Sequence, residues 1–344
     1  MLGASHAETT DPFPQCPGSL RVLLLAGGMI IQWSRIFIGL AMISVLPCAH
    51  AQLNSGFSFL RLESSARAAA LGGSAAILDA RDVGTFLYNP ALLNADMNRM
   101  LSVTWLNHVS DLQAGFVAYS RNVGPLGSAA AGLRFLHWGT ITRADEQGQP
   151  NGKFSASDLA LTIGLARDWQ HGVRYGVNLH SIYTNVAEYN ALAMALDAGL
   201  IWHIPLQQIT VAGSLNYLGR ALTSLGAMRD RLPLDIRASI SKRLRHLPLI
   251  VALTLHDLPN APEVRSAEDA FSHAIFSLEF QASSAFHLRV GYSHERRELK
   301  SESRLDLAGI GAGFGLNIRR FQLDYAFSSW SFVALHQFTM GTRL

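Results

Sequence analysis

A run of alternating glycines is the part of this chain that most resembles a chemical motif. Gly309, Gly311, Gly313 and Gly315 occupy every second position. A loop that cradles phosphates needs its glycines at a strand-to-helix turn, whereas a spacing of two places all four on one face of a strand. We therefore interpret them as a bare strip that another segment of the chain approaches closely.

The other side chains that could do chemistry do not form a catalytic or metal-binding pattern. The 13 histidines are scattered without a helical metal-binding spacing, and the sequence contains no nucleophile elbow. Its two cysteines, Cys16 and Cys48, both lie near the start of the chain. These observations offer no candidate catalytic, metal or cofactor-binding residue, so no cofactor is predicted.

A secretory signal is predicted at residues 29–51. The segment begins at Met29, carries Arg35, continues with an apolar run over 36–46 and ends at Ala51. A basic start, about 11 apolar residues and small residues before the cleavage point are the three parts of such a signal. The run is shorter than the ~20 residues of a transmembrane helix. We expect a mature chain that begins at Gln52, with residues 1–28 as an upstream extension.

Export would remove both cysteines, so no disulfide framework is predicted for the mature chain. A competing prediction is lipidation of Cys48, which Pro47 disfavours because a small residue is expected before the modified cysteine.

The composition is unusual for a soluble domain. Charged residues make up 15% of the chain and hydrophobic residues 49%, against about 25% charged in typical soluble proteins. The net charge of +3 is too small to indicate nucleic-acid binding or a basic membrane patch. Such a composition favours apolar residues spread over every second position.

Alternation of this kind recurs after residue 100 and predicts strands. In Phe321–Ser328, for example, the apolar side chains fall on one face and mostly polar or small ones on the other. Candidate strands lie near 101–109, 112–122, 127–138, 158–169, 172–185, 194–204, 207–219, 233–244, 248–257, 272–282, 285–296, 306–318, 320–332 and 336–343. An even number of segments of about 10 residues, many with aromatic residues near their ends, is typical of outer-membrane barrels. The sequence predicts an all-β fold: a transmembrane antiparallel β-barrel of about 14 strands over 101–344.

A secreted β-sandwich or propeller is the alternative all-β prediction. The candidate strands are long, however, and their less apolar face is rich in Gly, Ala and Ser rather than Lys and Glu, which favours the barrel.

Long loops are predicted at Arg143–Ser157, Leu218–Leu232 and Leu258–Ser272. Because barrels alternate short turns with long outer loops, we expect these three to face the cell exterior. A charged cluster at Glu295–Lys300 is interpreted as a solvated rim, with a partner-docking patch as the alternative.

Residues 52–100 precede the barrel and are expected to form a plug-like segment in its lumen. Residues 64–70 are helix-prone and are followed by Gly72 and Gly73, which should end the helix. Asn89 and Pro90 break the chain again.

This N-terminal segment also carries the residues of a family resemblance. They are Phe59, Leu60, Leu62, Ser65, Ala66, Arg67, Leu71, Gly72, Gly73, Asn89 and Pro90. The pattern resembles the PorV/PorQ family of the type IX secretion system, which is similar to FadL-type outer-membrane barrels. Later stretches, such as Gly152–Asp158 and Leu288–Tyr292, are more similar to the PorQ branch. The chain departs from most bacterial barrels in ending with Leu344, with Phe338 the nearest aromatic residue.

The resemblance implies a non-enzymatic component of a cargo attachment complex in the bacterial outer membrane. Such a protein would hold a PorZ-like surface partner beside a PorU/PorV complex through its long loops. It would bind outer-membrane lipid and no nucleic acid. Two alternatives stay open: a FadL-like transporter of hydrophobic small molecules, and a PorV-like cargo shuttle.

Overall fold

The computed structural model describes residues 57–74, 81–107, 112–145, 147, 149–225, 230–260, 271–298, 308–330 and 333–344. The predicted secretory signal and the upstream extension lie outside these residues.

Fourteen antiparallel strands form one closed barrel. They are β1 (Met100–Asn107), β2 (Gln113–Asn122), β3 (Ser128–Ala144), β4 (Pro150–Asp168), β5 (Val173–Val186), β6 (Tyr189–Ile204), β7 (Ile209–Ala221), β8 (Asp235–Arg243), β9 (Leu249–Leu255), β10 (Ala274–Gln281), β11 (Phe286–Ser293), β12 (Ile310–Ile318), β13 (Phe321–Trp330) and β14 (Val333–Arg343). Each strand pairs with its neighbours in sequence, and β1 closes the barrel on β14, with Met100 opposite Arg343. The predicted fold class is confirmed.

The alternation in sequence becomes an apolar outer wall and an inner face of small and polar residues. On β4, Leu161 and Ile163 point outward and are 45% and 55% exposed, whereas Ala160 and Thr162 point inward and are each 2% exposed. A soluble sandwich would bury its large apolar residues instead. This inverted arrangement is the one expected of a barrel surrounded by lipid.

The predicted long loop at Arg143–Ser157 is wrong. β3 and β4 continue through it as a paired extension, so that Ala144 lies opposite Pro150. Pro150 occupies the first position of its strand, where proline is tolerated although it has no backbone N–H to donate to the neighbouring strand. The Arg143 guanidinium carbon lies 5.8 Å from the centre of the Phe154 ring, and this cation–π contact links the two extended strands. The connection shrinks to residues 145–149.

Short helices make up about half of the described part of the N-terminal segment. They are the 3₁₀ turns Ser58–Arg61, Val83–Leu87, Pro90–Leu92 and Ala95–Met97 and the α-helix α1 (Ala66–Ala70). A second short α-helix, α2 (His294–Glu298), follows β11, and further 3₁₀ turns occur at Gly124–Leu126, Gln170–Gly172 and Leu258–Asn260. In the described part of the chain, no helix is long and apolar enough to cross a membrane.

Two of the four alternating glycines, Gly311 and Gly313, form the bare strip predicted from their spacing. Gly309 lies in the turn before β12, with φ of 85°, and Gly315 faces the Asp324 and Arg289 side chains. A Cβ placed on Gly311 would come within 2.4 Å of the Ala69 carbonyl oxygen, and one on Gly313 within 2.8 Å of the Ala70 Cβ. The glycines of β12 therefore let α1 lie directly against the inside of the barrel wall.

Candidate functional site

The motif of the N-terminal segment begins with a capped helix. The Ser65 hydroxyl accepts from the Ala68 N–H at 3.2 Å, which is the usual contact of an N-cap. The same hydroxyl donates to the Asp82 carboxylate at 2.6 Å. Gly72 and Gly73 follow with φ of 71° and 94°, and end the helix as predicted. This local chemistry sets the direction in which α1 presents Arg67.

Arg67 joins the segment to the barrel wall through buried charges. Its guanidinium lies 2.9 Å from the Glu279 carboxylate of β10. Glu279 also receives Arg289 of β11 at 3.0 Å, and Arg289 in turn contacts Asp324 of β13. All four side chains are at most 4% exposed. Buried charges of this kind persist only when they are paired, so the chain of charges holds α1 in one position.

Asn89 and Pro90 lie against glycines on the opposite wall. The Asn89 amide donates to the Gly213 carbonyl oxygen at 3.2 Å, while its oxygen accepts from the Ala91 N–H at 2.9 Å. A Cβ on Gly176 would come within 2.6 Å of Pro90, and a Cβ on Gly199 within 2.0 Å of Asn89. The close approach requires glycine at both wall positions.

The remaining motif residues pack in the interior. Phe59, Leu60 and Leu71 are at most 3% exposed, Ala66 is fully buried, and Leu62 is partly buried against the same apolar cluster as Phe59. The Leu60 carbonyl oxygen accepts from the Arg134 guanidinium at 2.5 Å and from the Tyr217 hydroxyl at 3.2 Å. The residues of the family resemblance are thus brought together inside the barrel.

A cavity of about 640 Å³ remains beside this segment. It lies toward the end of the barrel where the long connections follow β7, β9 and β11. Its apolar lining includes Leu60, Leu62, Tyr88, Tyr217, Pro233 and Ile275, and its titratable lining includes Arg61, Glu63, Arg134, Asp235, Arg237, His256, Asp257, Glu295 and Arg296. The volume falls within the range of about 300–1,000 Å³ that is typical of small-molecule sites.

The charges around the cavity are arranged in pairs that connect separate elements. Arg61 lies 3.2 Å from Asp257 and 3.6 Å from Glu295 on α2. Arg296, also on α2, pairs with Glu63. The N-terminal segment and α2 are therefore joined twice at the edge of the cavity.

Another lining residue, Arg237 of β8, joins the barrel wall to the N-terminal segment. It lies 2.6 Å from Asp235, stacks over the Tyr88 ring at 5.3 Å and donates to the Gly73 carbonyl oxygen at 3.2 Å. The Tyr88 hydroxyl donates to Glu63. With its charge shared among these partners, Arg237 is a fixed part of the lining.

Two titratable groups at the cavity edge have shifted pKa values. Burial, reinforced by the nearby Arg237, lowers the pKa of His256 to about 3, so the ring is neutral near pH 7. Burial also raises the pKa of the Glu295 carboxyl. Both shifts favour the uncharged form, and the neutral His256 ring adds no charge to this edge of the cavity.

Sequence reasoning missed most of this lining. For Arg134 and Arg237, the alternation of the strands could have predicted that these side chains lie on the inner face. Nothing in the sequence connects Tyr88 or His256 with them. His180 is buried on the inner face and bonded to Asp197 at 2.6 Å and to Thr162 at 2.8 Å, so its role is structural. Among the described residues, no group of His, Cys, Asp and Glu could hold a metal ion.

Comparison with solved structures identifies the fold. The Pseudomonas putida toluene transporter TodX matches with a TM-score of 0.57 and 11% identity over 82% of this chain and 99% of that one. The Ralstonia pickettii toluene transporter TbuX matches with 0.53 and 13% over 82% and 99%. A Pseudomonas aeruginosa FadL homologue matches with 0.50 and 10% over 81% and 98%.

No family model matches the chain. No curated protein matches it either. At identities of 10–13%, the structural matches bear on the fold. The chain has the FadL-like, 14-stranded fold of these outer-membrane barrels.

Proposed function

We propose that this protein is a non-enzymatic barrel of the bacterial outer membrane that takes a small apolar or amphiphilic molecule into its lumen. The observation that carries the proposal is the cavity of about 640 Å³ bordered by the N-terminal segment. The toluene transporters of similar fold support the apolar class of ligand.

The cavity is suited to a molecule with a large apolar part and a small polar end. Leu60, Tyr217 and Ile275 supply apolar walls, while the paired charges line the edge. Since the charges already have partners, a fully ionic ligand would have to displace ion pairs. An apolar or weakly polar ligand needs no such displacement.

The proposal is tested by filling the cavity. Ile275 lies in the cavity wall and is 3% exposed, whereas its neighbour Phe276 points outward and is 43% exposed. We expect Ile275→Trp to weaken binding of toluene, measured by equilibrium dialysis of the detergent-solubilised barrel, by at least about tenfold. Phe276→Trp, the matched control, should bind as the unmodified chain does.

If both variants bind toluene as tightly as the unmodified chain does, the cavity is not the toluene-binding site. Absence of toluene binding to the unmodified chain would call for a longer amphiphile, such as a fatty acid, as the next probe. If neither probe binds, the transport proposal is wrong.

A second candidate function is the attachment-complex anchor implied by the family resemblance. The specific observation in its favour is the dense packing of the motif residues, with Arg67 tied to Glu279 and Asn89 seated on Gly199. A barrel filled in this way is a rigid base for holding a PorZ-like surface partner or a PorU/PorV complex. A PorV-like shuttle would use the same base.

Deletion of the gene separates the two functions. Loss of secreted cargo or of a PorZ-like protein from the cell surface, detected by mass spectrometry of cell fractions, would favour the anchor. Normal surface proteins with impaired growth on a hydrophobic nutrient would favour the transporter. The first four residues of the predicted loop Leu218–Leu232 belong to β7. For the anchor, replacing 222–232 and Leu258–Ser272 with Gly/Ser linkers should therefore release the partner and leave the barrel in the membrane. Arg143–Ser157 is excluded from this test because it belongs to paired strands.

A further inference from the structure

Short connections join the strands at one end of the barrel. They form a surface separate from the cavity, which lies toward the other end. These connections span 123–127, 169–172, 205–208, 244–248, 282–285 and 319–320. The start of β1 and the end of β14 lie at the same end, since Met100 pairs with Arg343. We call this end the short-turn rim.

The short-turn rim carries a concentration of positive charge. Among the described residues, its exposed cations are Arg99, Arg121, Arg167, Lys242, Arg243, Arg245, Arg319, Arg320 and Arg343. The exposed carboxylate side chains in the same described region are Asp96 and Asp168, and Asp168 is paired with Arg174 at 2.6 Å. The rim is therefore strongly basic, although the whole chain has a net charge of only +3.

Exposed apolar side chains stand beside these cations around the circumference. They are Leu126, Trp169, Leu206, Leu247, Ile318, Phe321 and Leu344, each more than half exposed. Leu206, at 83%, is the extreme case, and its carbonyl oxygen accepts from Arg245 at 2.8 Å. Large apolar groups next to long basic side chains are suited to the boundary between lipid tails and headgroups.

A groove of about 560 Å³ is formed on this rim by the connections after β6, β8 and β10. Arg243, Arg245, His246 and His287 line it together with Leu244 and Leu247. The Arg243 guanidinium donates to the neutral amide of Gln281 at 2.6 Å, so its charge is not neutralised there. Guanidinium groups at such a position can form charge-assisted hydrogen bonds to phosphate oxygens.

We propose that the short-turn rim binds the headgroups of anionic phospholipids, with the groove around Arg243 and Arg245 as its principal site. Lipid is favoured over an acidic protein because the cations are distributed over several of the connections, with exposed apolar side chains beside them that continue into the apolar outer wall. The inference rests on the membrane position proposed above.

The test uses the barrel purified from membranes and placed in lipid discs of equal parts phosphatidylglycerol and phosphatidylcholine. The phospholipid retained after transfer to a zwitterionic detergent is then counted by mass spectrometry. The unmodified chain should retain phosphatidylglycerol preferentially. A basic side chain near an anionic surface contributes about fivefold to such a preference, so K242Q/R243Q/R245Q should lose most of it.

Two further variants serve as controls. They distinguish loss of the rim site from misfolding and from a general loss of positive charge. R143Q/K153Q/R220Q removes the same number of exposed cations from the opposite half of the barrel and should keep the preference. R243K/R245K keeps the charge without the guanidinium fork and should retain part of it. If the rim variant fails to fold, raising the salt concentration on the unmodified chain should weaken the preference by the same electrostatic cause.

Three outcomes would overturn the inference. The unmodified chain could retain both phospholipids equally, or excess inorganic phosphate could displace the retained lipid completely, which would indicate a free-anion site. Tighter binding of polyglutamate than of phosphatidylglycerol would indicate an acidic protein instead. A chain that is absent from the membrane fraction would defeat the proposed function itself, which distinguishes that failure from the other three.

Discussion

At the scale of the residue, Glu279 is the side chain on which the buried charges depend. It receives Arg67 from α1 and Arg289 from β11, and is 2% exposed. Removing one charge from a buried pair leaves its partners without compensation, which typically costs about 3–5 kcal/mol. We therefore expect Glu279→Gln to lower the free energy of unfolding by about that amount, measured with denaturant in detergent micelles.

Glu188→Gln is the matched control for this change. Glu188 pairs with Arg143 at 3.0 Å, but both side chains are largely exposed, so the variant should unfold like the unmodified chain. Equal stability of both variants would show that the buried chain of charges does not hold α1.

His256 predicts a dependence of stability on pH. Its pKa is about 3 in the folded chain and 6.5 as the ordinary value. As pH falls below about 6.5, the unfolded chain binds a proton that the folded chain does not, so stability is lost progressively toward pH 3. At about pH 5 this loss amounts to roughly 2 kcal/mol.

His256→Gln should remove that part of the pH dependence, measured as unfolding free energy between about pH 7 and pH 5. The raised pKa of Glu295 acts in the opposite direction, because the folded chain then takes up a proton more readily. Exposed His246 changed to Gln is the control. An unchanged pH profile in His256→Gln would contradict the assignment.

At the scale of the element, the fit of α1 against the wall depends on glycines. A Cβ on Gly291 would lie 2.1 Å from the Leu71 carbonyl carbon. Gly291→Ala must therefore displace the end of α1 or the β11 backbone, and overpacking of this kind costs about 1–3 kcal/mol. The melting temperature and the protease sensitivity of the N-terminal segment measure this effect.

Gly213→Ala is the corresponding control, since the nearest heavy atom to its added Cβ is 3.9 Å away. It should leave both measurements unchanged. A thermally stable, protease-resistant Gly291→Ala variant would mean that the segment does not lie against β11.

At the scale of the whole molecule, closure of the barrel brings together residues far apart in sequence. Thr104 and Thr339 face each other inside the seam of β1 and β14, with hydroxyl oxygens 2.9 Å apart and residue numbers that differ by 235. We expect Thr104→Cys/Thr339→Cys to form an intramolecular disulfide on oxidation, seen as faster migration of the denatured chain in a non-reducing gel.

Trp105→Cys/Thr339→Cys is the control, because successive side chains of a strand point to opposite faces. It should not cross-link. A disulfide in the control pair, or none in the test pair, would mean that the seam has another register.

The number and placement of the strands could be predicted from sequence because alternation is a local property. Each of the 14 candidate segments overlaps one observed strand, and the alternation within these segments separates inward polar residues such as His180 and Glu279 from the outward apolar ones. The error at Arg143–Ser157 arose because Gly and Pro usually mark loops, whereas pairing with the neighbouring strand overrode that preference.

The contacts that define the candidate site were decided by the tertiary structure. Arg67 and Glu279 are 212 positions apart, and no local pattern states that α1 meets β10 or that Tyr88 and His256 share a cavity. The basic short-turn rim was also decided by the tertiary structure. The net charge of +3 gives no indication of it, because short turns remote in sequence bring their cations to one end only when the barrel closes. Sequence alone determined which face each side chain occupies, and closure of the sheet determined which side chains meet.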